Sequence, residues 1–297
     1  MTPRRLDGVL LLDKARGVAS NGQLQAAKRL FGAAKAGHAG TLDPLASGLL
    51  PILFGEATKL SQLALDSDKE YLAQASLGVV TTTGDAEGEV LERRVCHVRQ
   101  DDLEPVLARF RGEIDQVPPM HSALKHEGRP LYALAREGRE VPRAPRRVCI
   151  YSLEALQLDG DRLALRVRCS KGTYIRTLVE EIGEALGCGA HLSALRRTAA
   201  AGFRVEDAVT LEELQTLPSE ERDRYLLALE SLLGALPRVV LPEGLIERFR
   251  QGQVVHLSEA PTGTCGVFAG AGQLLGLADG QGRGELRPRR LINHANS

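Results

Sequence analysis

Short apolar runs separated by glycine- or proline-marked breaks set the pattern of this chain, and the period of each run predicts an element. Residues 8–13, GVLLLD, form a continuous apolar stretch, too short for a helix, and predict a buried strand. Residues 20–31 repeat apolar positions at helical spacing, with Ser20 or Asn21 as the expected cap. Residues 69–80, KEYLAQASLGVV, alternate and predict a strand, whereas 101–110 begin with Asp101 and Asp102 and predict a helix with an acidic first turn. Residues 118–147, rich in Pro, Gly and Arg and with helical potential at 130–137, read as a long insertion of the kind that carries function. A hairpin is expected from 148–158 and 162–170 around Asp159-Gly160, followed by a helix over 173–186 that Gly187 or Gly189 ends. Short helical segments follow at 211–216 and 223–233. After Leu236-Pro237 a helix at 243–250 leads into glycine-split apolar alternations at 253–257, 264–269, 273–278 and 286–292. The pattern predicts an α+β chain, with a larger domain over 1–236 and a small β-rich domain over 237–297.

Composition narrows the class. With 43% hydrophobic and 26% charged residues in 297, the chain has the make-up of a soluble globular protein. No apolar run approaches the roughly 18 residues a membrane span needs. The opening MTPRRLDGVLLLDK is interrupted by Asp7 and Asp13 and lacks a cleavage site, so it is expected to be a strand rather than a signal peptide. Cys96, Cys149, Cys169, Cys188 and Cys265 form no CxxC pair, and their odd number argues against a disulfide framework. They are read as reduced, mostly buried thiols of a cytoplasmic protein. His121 and His126 lie among basic residues and make a poor metal site, and no P-loop or GxSxG motif occurs. GAGQLLG at 270–276 has the wrong spacing for a dinucleotide fingerprint and is expected to be a hairpin turn.

The formal net charge is zero, but segment 121–150 holds seven Lys and Arg residues against three Glu. Such a segment is either a phosphate-facing patch or a solvated loop.

Three features bear on chemistry. The stretch GHAGTLDPLASGLL, residues 37–50, sets Asp43 inside an apolar run, where an unpartnered carboxylate is costly. Asp43 is either a turn cap before Pro44 or a reactive group, and Gly37, Gly40 and Gly48 allow tight backbone geometry or close approach of another molecule. In SKGTYIRT, residues 170–177, Tyr174 and Arg176 stand at a strand-to-helix junction where both can face a cleft. Arginine in a first helical turn opposes the helix dipole, so a carboxylate partner is expected, and Asp43 is the candidate. Tyr71 is an isolated aromatic on an aliphatic strand in a chain with only 4% aromatics; it is either core or a stacking surface for a base.

These residues fall within an ordered set of motifs: LLDKARG (11–17), AGHAGTLDPLASGLLPILFGEATKL (36–60), SDKEYLAQASLG (67–78), PPMHSALKHEGRPLYALAREG (118–138), SKGTYIRTL (170–178) and LGCGAHLSALRRT (186–198). Through them the chain resembles the TruB family of tRNA pseudouridine synthases from about residue 8 to 216. The resemblance implies a pseudouridine synthase core, a mixed, largely antiparallel sheet with flanking helices, followed by a PUA-like RNA-binding domain. It implies isomerisation of uridine-55 in the T arm of tRNA by a cytoplasmic monomer that needs no cofactor, metal, guide RNA or protein partner. On the same ground Asp43 is the catalytic carboxylate, as nucleophile or as base in a glycal-like route, and Arg176 its partner. Tyr71 stacks on the flipped base and is a proposed late proton acceptor. Tyr174 and Leu195 line the uracil pocket, His38 packs into the RNA, and Lys14 supports the site. Residues 118–147 correspond to a thumb-like loop. The chain departs from the usual family pattern at Ala15, Ala19, Ala39 and His121, none of which removes a chemical group from the Asp43 site. Two other readings stay open: RNA binding or chaperoning without chemistry, and a guide-RNA-dependent relative.

Overall fold

The computed structural model describes residues 3–122, 124–270 and 272–293. In chain order its first half comprises β1 (Gly8–Lys14), α1 (Ser20–Leu30), β2 (Ala36–His38), β3 (Ala46–Phe54), α2 (Ser61–Asp66), β4 (Lys69–Leu77), β5 (Val79–Thr81), β6 (Val90–Arg93), α3 (Gln100–Leu107), β7 (Gly112–Gln116), β8 (Lys125–His126), β9 (Arg129–Pro130) and α4 (Leu131–Arg136). Then follow β10 (Arg146–Asp159), β11 (Arg162–Cys169), α5 (Ile175–Ala185), β12 (Ala190–Ala200), β13 (Phe203–Arg204), α6 (Leu211–Thr216), α7 (Ser219–Arg222) and β14 (Leu226–Leu227). The last part holds β15 (Arg238–Val240), α8 (Glu243–Arg250), β16 (Val255–His256), β17 (Thr262–Phe268), β18 (Leu274–Gln281) and β19 (Glu285–Leu291).

One large sheet runs in the order β14-β1-β3-β12-β4-β11-β10-β7, with β2 added beside β3 and β13 beside β12. Its pairings are antiparallel except that of β12 with β3. The mixed, largely antiparallel sheet is therefore the one expected. The apolar stripe of α5, with Leu178, Val179 and Ile182, and that of α1, with Leu24 and Ala27, join the core formed with Leu10, Leu50, Ala73 and Leu165. Gly183 lets α5 approach β12, because a side chain there would meet the Ala190 backbone nitrogen at 2.4 Å.

Three local expectations need correction. The strand expected over 69–80 breaks at Gly78, whose φ of +78° takes the chain into the left-handed region, and Val79–Thr81 pairs instead with β6. Neither Ser20 nor Asn21 caps α1: Ala19 holds the cap position without a side-chain bond. The expected helical segment 223–233 is two short 3₁₀ turns flanking β14, which joins the edge of the large sheet beside β1.

A second, five-stranded sheet takes the order β15-β17-β18-β19-β16 and has its own core, with Phe249, Val255, Val267 and Leu286. Between β17 and β18, Ala269 N–H donates to Gln273 O at 2.8 Å; residue 271 of the expected 270–276 turn lies outside the described residues. A shared apolar layer of Leu49, Leu53, Leu233, Phe268, Leu274 and Ile292 joins the two sheets. Lys59 Nζ donates to Leu291 O at 2.9 Å across the same seam.

Candidate functional site

Asp43 sits in the loop between β2 and β3, and that loop is fixed by its neighbours. The Ser20 hydroxyl, free of capping duty, donates to Leu42 O and accepts from Leu42 N–H, both at 2.8 Å. Ala46 N–H donates to Asp43 O at 3.0 Å and Gly17 N–H to Pro44 O at 2.7 Å. Gly48 has φ +100°, and a side chain on it would lie 2.3 Å from Arg197 O, so only glycine lets β3 lie against β12 here. Gly37 carries no such requirement.

Arg176 enters from the first turn of α5 and is buried. Its Nε lies 3.0 Å from Asp43 Oδ2, with side-chain exposures of 4% and 41%, so the guanidinium is covered while the carboxylate keeps a face open to an incoming molecule. The same Nε lies 3.6 Å from Asp85 Oδ2. Nη1 donates to Thr83 O at 3.1 Å and Nη2 to His121 O at 2.6 Å. Two carboxylates thus offset the poor placement of an arginine at a helix start. Asp85 is itself held by the Thr83 hydroxyl at 2.6 Å and by Glu87 N–H at 3.0 Å.

Two cavities meet at this pair. The first, about 250 Å³, is lined by Asp43, Tyr71, Tyr174, Arg176 and Leu195, with Lys69 and Arg197 also on its wall. The second, about 400 Å³, is lined by Asp43 and Arg176 again, with His38, Asp85, Glu87 and Arg136. Tyr71 comes from β4 and is buried, and burial pushes its phenol pKa up. The buried Arg197 guanidinium works against that rise. Tyr174 is set by Gln116, whose side chain accepts from Tyr174 N–H at 2.7 Å and donates to Tyr174 O at 3.1 Å. Partial desolvation at the cavity wall pushes the carboxyl of the largely exposed Glu87 up, with Asp85 and Asp43 adding to the effect.

The structure therefore brings Asp43, Tyr71, Tyr174, Arg176 and Leu195 to one cavity. His38 stands in the neighbouring one. Its Nδ1 is buried without a hydrogen-bond partner, and burial, with Arg197 second, holds its pKa below the usual value, which favours the neutral ring. Lys14 lines neither cavity. It is fully buried, donates to Ala15 O and Val18 O at 2.9 and 2.6 Å, and burial pushes its pKa down to about 8.

The basic segment is more neutral than its composition. Arg129 pairs with Glu137, Arg143 with Glu140 at 2.9 Å, and Arg147 with Asp115 at 3.0 Å. Arg136, 5.6 Å from the Tyr132 ring centroid, faces the second cavity with that tyrosine. The residues missed in the sequence are Asp85, Lys69 and Arg197. The alternation of β4 puts Lys69 on the face of Tyr71 and was the available signal; Asp85 and Arg197 need the tertiary fold. Among the described residues no cluster of His, Cys, Asp and Glu suited to a metal occurs, and no helix is long and apolar enough to cross a membrane. The five cysteines are free, three of them buried.

Comparison with known proteins places the chain in a family. The model of the TruB family pseudouridylate synthase N-terminal domain matches residues 28–175. Those of the tRNA pseudouridylate synthase B C-terminal domain and the pseudouridine synthase II TruB C-terminal region match 176–242 and 237–292. The tRNA pseudouridine synthase B of Azoarcus sp. (strain BH72) is 54% identical over 291 residues, covering 98% of this chain and 96% of that protein. Its counterpart in Aromatoleum aromaticum is 52% identical over 292 residues, covering 98% and 94%. Among solved structures, a chain of a Cbf5-Nop10-Gar1 complex superposes with a TM-score of 0.74 at 26% identity, covering 96% of this chain and 85% of that one. The archaeal box H/ACA sRNP Nop10-Cbf5 complex gives 0.74 at 25%, covering 97% and 87%. The small C-terminal sheet is consistent with a PUA-like domain. By sequence along nearly its whole length, and by fold, the chain belongs to the TruB family of pseudouridylate synthases.

Proposed function

We propose that this protein isomerises uridine-55 in the T arm of tRNA to pseudouridine, acting in the cytoplasm as a monomer without metal, cofactor, guide RNA or protein partner. The observation that carries the reading is the Asp43–Arg176 pair at 3.0 Å, half-open to a cavity that Tyr71, Tyr174 and Leu195 also line. The relatives named tRNA pseudouridine synthase B are about half identical to this chain, whereas the ribonucleoprotein chains are about a quarter identical. That difference favours action on tRNA without a guide.

The target base is stacked inside the folded arm and must be turned out, at a cost of a few kcal/mol. It enters the cavity against the Tyr71 ring, between Tyr174 and Leu195. Asp43 then meets the ribose. Either its carboxylate captures C1′ as the N1–C1′ bond breaks, or it removes the C2′ proton on a glycal-like route. Both need an ionised carboxylate, and the buried guanidinium of Arg176, with Nε 3.0 Å from Oδ2, supplies the opposing charge. Asp85 keeps Arg176 in place from the other side. The freed base turns and its C5 bonds to C1′ as the Asp43 oxygen leaves C1′, or as Asp43 returns the proton to C2′; on this reading Tyr71 takes the C5 proton and N1 regains one. His38, on the adjoining cavity, packs into the space the base leaves, and Lys14 braces the 15–18 backbone. The 118–147 thumb and the PUA-like domain over 237–297 hold the RNA outside the cavity, and 1–236 is the catalytic domain.

The test is to incubate unmodified tRNA with the pure protein and map modified positions. Pseudouridine confined to position 55, and lost with Asp43→Asn, is the expected result. Modification elsewhere, or normal turnover by the variant, contradicts the assignment.

A further inference from the structure

The cavity that holds Tyr71 carries more positive charge than its carboxylate requires. Lys69, Arg176 and Arg197 line it, against Asp43 as its one acid. Arg176 is committed to Asp43 and Asp85. Lys69 and Arg197 are 8% and 1% exposed, and among the described residues neither forms an ion pair. Their partners are carbonyls, with the Tyr71 hydroxyl also hydrogen-bonded to Arg197. Lys69 Nζ donates to Ala64 O, Leu65 O and Ser67 O at 3.2, 2.7 and 2.5 Å. Arg197 Nε donates to Leu49 O at 2.7 Å and Nη2 to Gly40 O at 3.1 Å.

Carbonyls satisfy N–H groups but leave the charge uncancelled, and burying such a charge is costly. Lys69 registers that cost, since burial pushes its pKa down to about 8, with Arg197 adding to the fall. Register explains the placement. Lys69 and Tyr71 are two apart on β4 and share a face, and Arg197 is the direct cross-strand partner of Tyr71 on β12. Both cations therefore flank the ring on which the base is read to stack. Neutral donors would anchor the same carbonyls at lower cost, so the charge calls for a reason of its own.

We infer that Lys69 and Arg197 are counter-charges for a base that becomes anionic inside the cavity. The inference rests on the isomerase reading. When the N1–C1′ bond breaks, its electron pair stays on N1 and spreads over O2 and O4 of the uracil. C1′ is satisfied by an Asp43 oxygen, or by loss of the C2′ proton to Asp43. After the base turns, C5 supplies the pair that re-forms the bond to C1′ as the Asp43 oxygen leaves C1′, or as Asp43 returns its proton to C2′; the C5 proton then leaves, and N1 regains a proton. Atoms and charge balance as an isomerisation. Neutral uridine gains little from two buried cations, and the departing anion gains much, so the stabilisation is selective for bond breaking.

The experiment compares two T-arm stem-loop RNAs, with uridine or 5-fluorouridine at the target position. Fluorine withdraws electrons and stabilises the departing anion by itself. Loss of the N1-linked nucleoside is followed in single turnovers. Lys69→Met and Arg197→Gln are expected to slow bond breaking on the uridine RNA about 10-fold more than on the fluorinated RNA. Arg197→Lys, which keeps the charge, is expected to retain the wild-type ratio. Equal slowing on both RNAs by Lys69→Met and Arg197→Gln overturns the inference and leaves the cations as anchors of carbonyls only. Should Arg197→Gln fail to fold in a thermal melt, Lys69→Met decides alone. Wild-type protein that changes neither RNA overturns the isomerase reading, an outcome distinct from equal slowing by the variants.

Discussion

The two cavities that meet at Asp43 and Arg176 differ in sign. On the Tyr71 side, Lys69, Arg176 and Arg197 face a single carboxylate. On the His38 side, Asp43, Asp85 and Glu87 face Arg136 and Arg176. One guanidinium serves both, because its Nε reaches Asp43 and Asp85 together. The difference gives the site a direction: positive charge lies on the Tyr71 side and negative charge gathers on the His38 side. A carboxylate at the divide is ion-paired from behind while one face stays open, which suits a group that must be both charged and reachable.

Changing each side in turn breaks or sharpens that contrast. The largest effect is expected at the divide. Asp43→Asn keeps the shape and removes the charge, and is expected to cut the single-turnover rate by about 10⁴-fold. Its tRNA affinity, measured by filter binding, is expected to stay within about threefold because the phosphate contacts lie elsewhere. Next is Arg176→Met, which leaves Asp85 buried without its counter-charge. A rate loss of about 10²-fold to 10³-fold and a stability loss of about 3 kcal/mol are expected, read by single turnovers and by denaturant unfolding.

The cationic side adds a pH signature. Lys69 releases its proton near pH 8 in the folded protein and near 10.5 when unfolded. Below pH 8 both states hold the proton, and the full cost of burying the charge is present. Between those values the unfolded chain binds more protons, so stability rises with pH. Lys69→Met loses that share of the rise. A wild-type-minus-variant stability difference that stays flat across this window contradicts the burial of a charged lysine. The smallest effect is expected at the acidic mouth. Glu87 is exposed, and Glu87→Gln is expected to tighten RNA binding by less than about threefold at low salt, with the gain vanishing at high salt.

The sequence exposed this site unevenly. Asp43 and Arg176 were legible because each breaks a local rule, a carboxylate in an apolar run and an arginine at a helix start. Their pairing adds the missing compensation. Asp85 was hidden because TTTGDAEGE reads as an ordinary turn, and its Thr83 and Glu87 bonds are turn bonds; only tertiary folding adds Arg176. Arg196 and Arg197 are adjacent, and alternation sends them to opposite faces. One pairs with Asp13 at 2.7 Å and the other is buried. Which is which depends on the register of β12, and that strand carries irregularities at Leu192/Ala194 and Arg197/Ala199. Strands with strong apolar patterns, such as β1 and β11, were legible. The two-residue β14 was not, because a segment so short has no period and joins the sheet only through β1. The basic excess at 121–150 is smaller in the fold than in the composition. Composition counts charges, whereas the fold pairs Arg147 with Asp115 and Glu113 from outside the segment.

The central claim is that the open face of the Asp43 carboxylate acts on the ribose of a flipped uridine. The most direct measurement is quantitative pseudouridine mapping of a single unmodified tRNA after one turnover with wild-type protein and with Asp43→Asn, at protein concentrations that saturate binding for both. Stoichiometric conversion at position 55 by the wild type, and none by the bound variant, is the predicted result. Conversion by the variant at a comparable rate, or a wild type that binds and leaves the uridine intact, contradicts it.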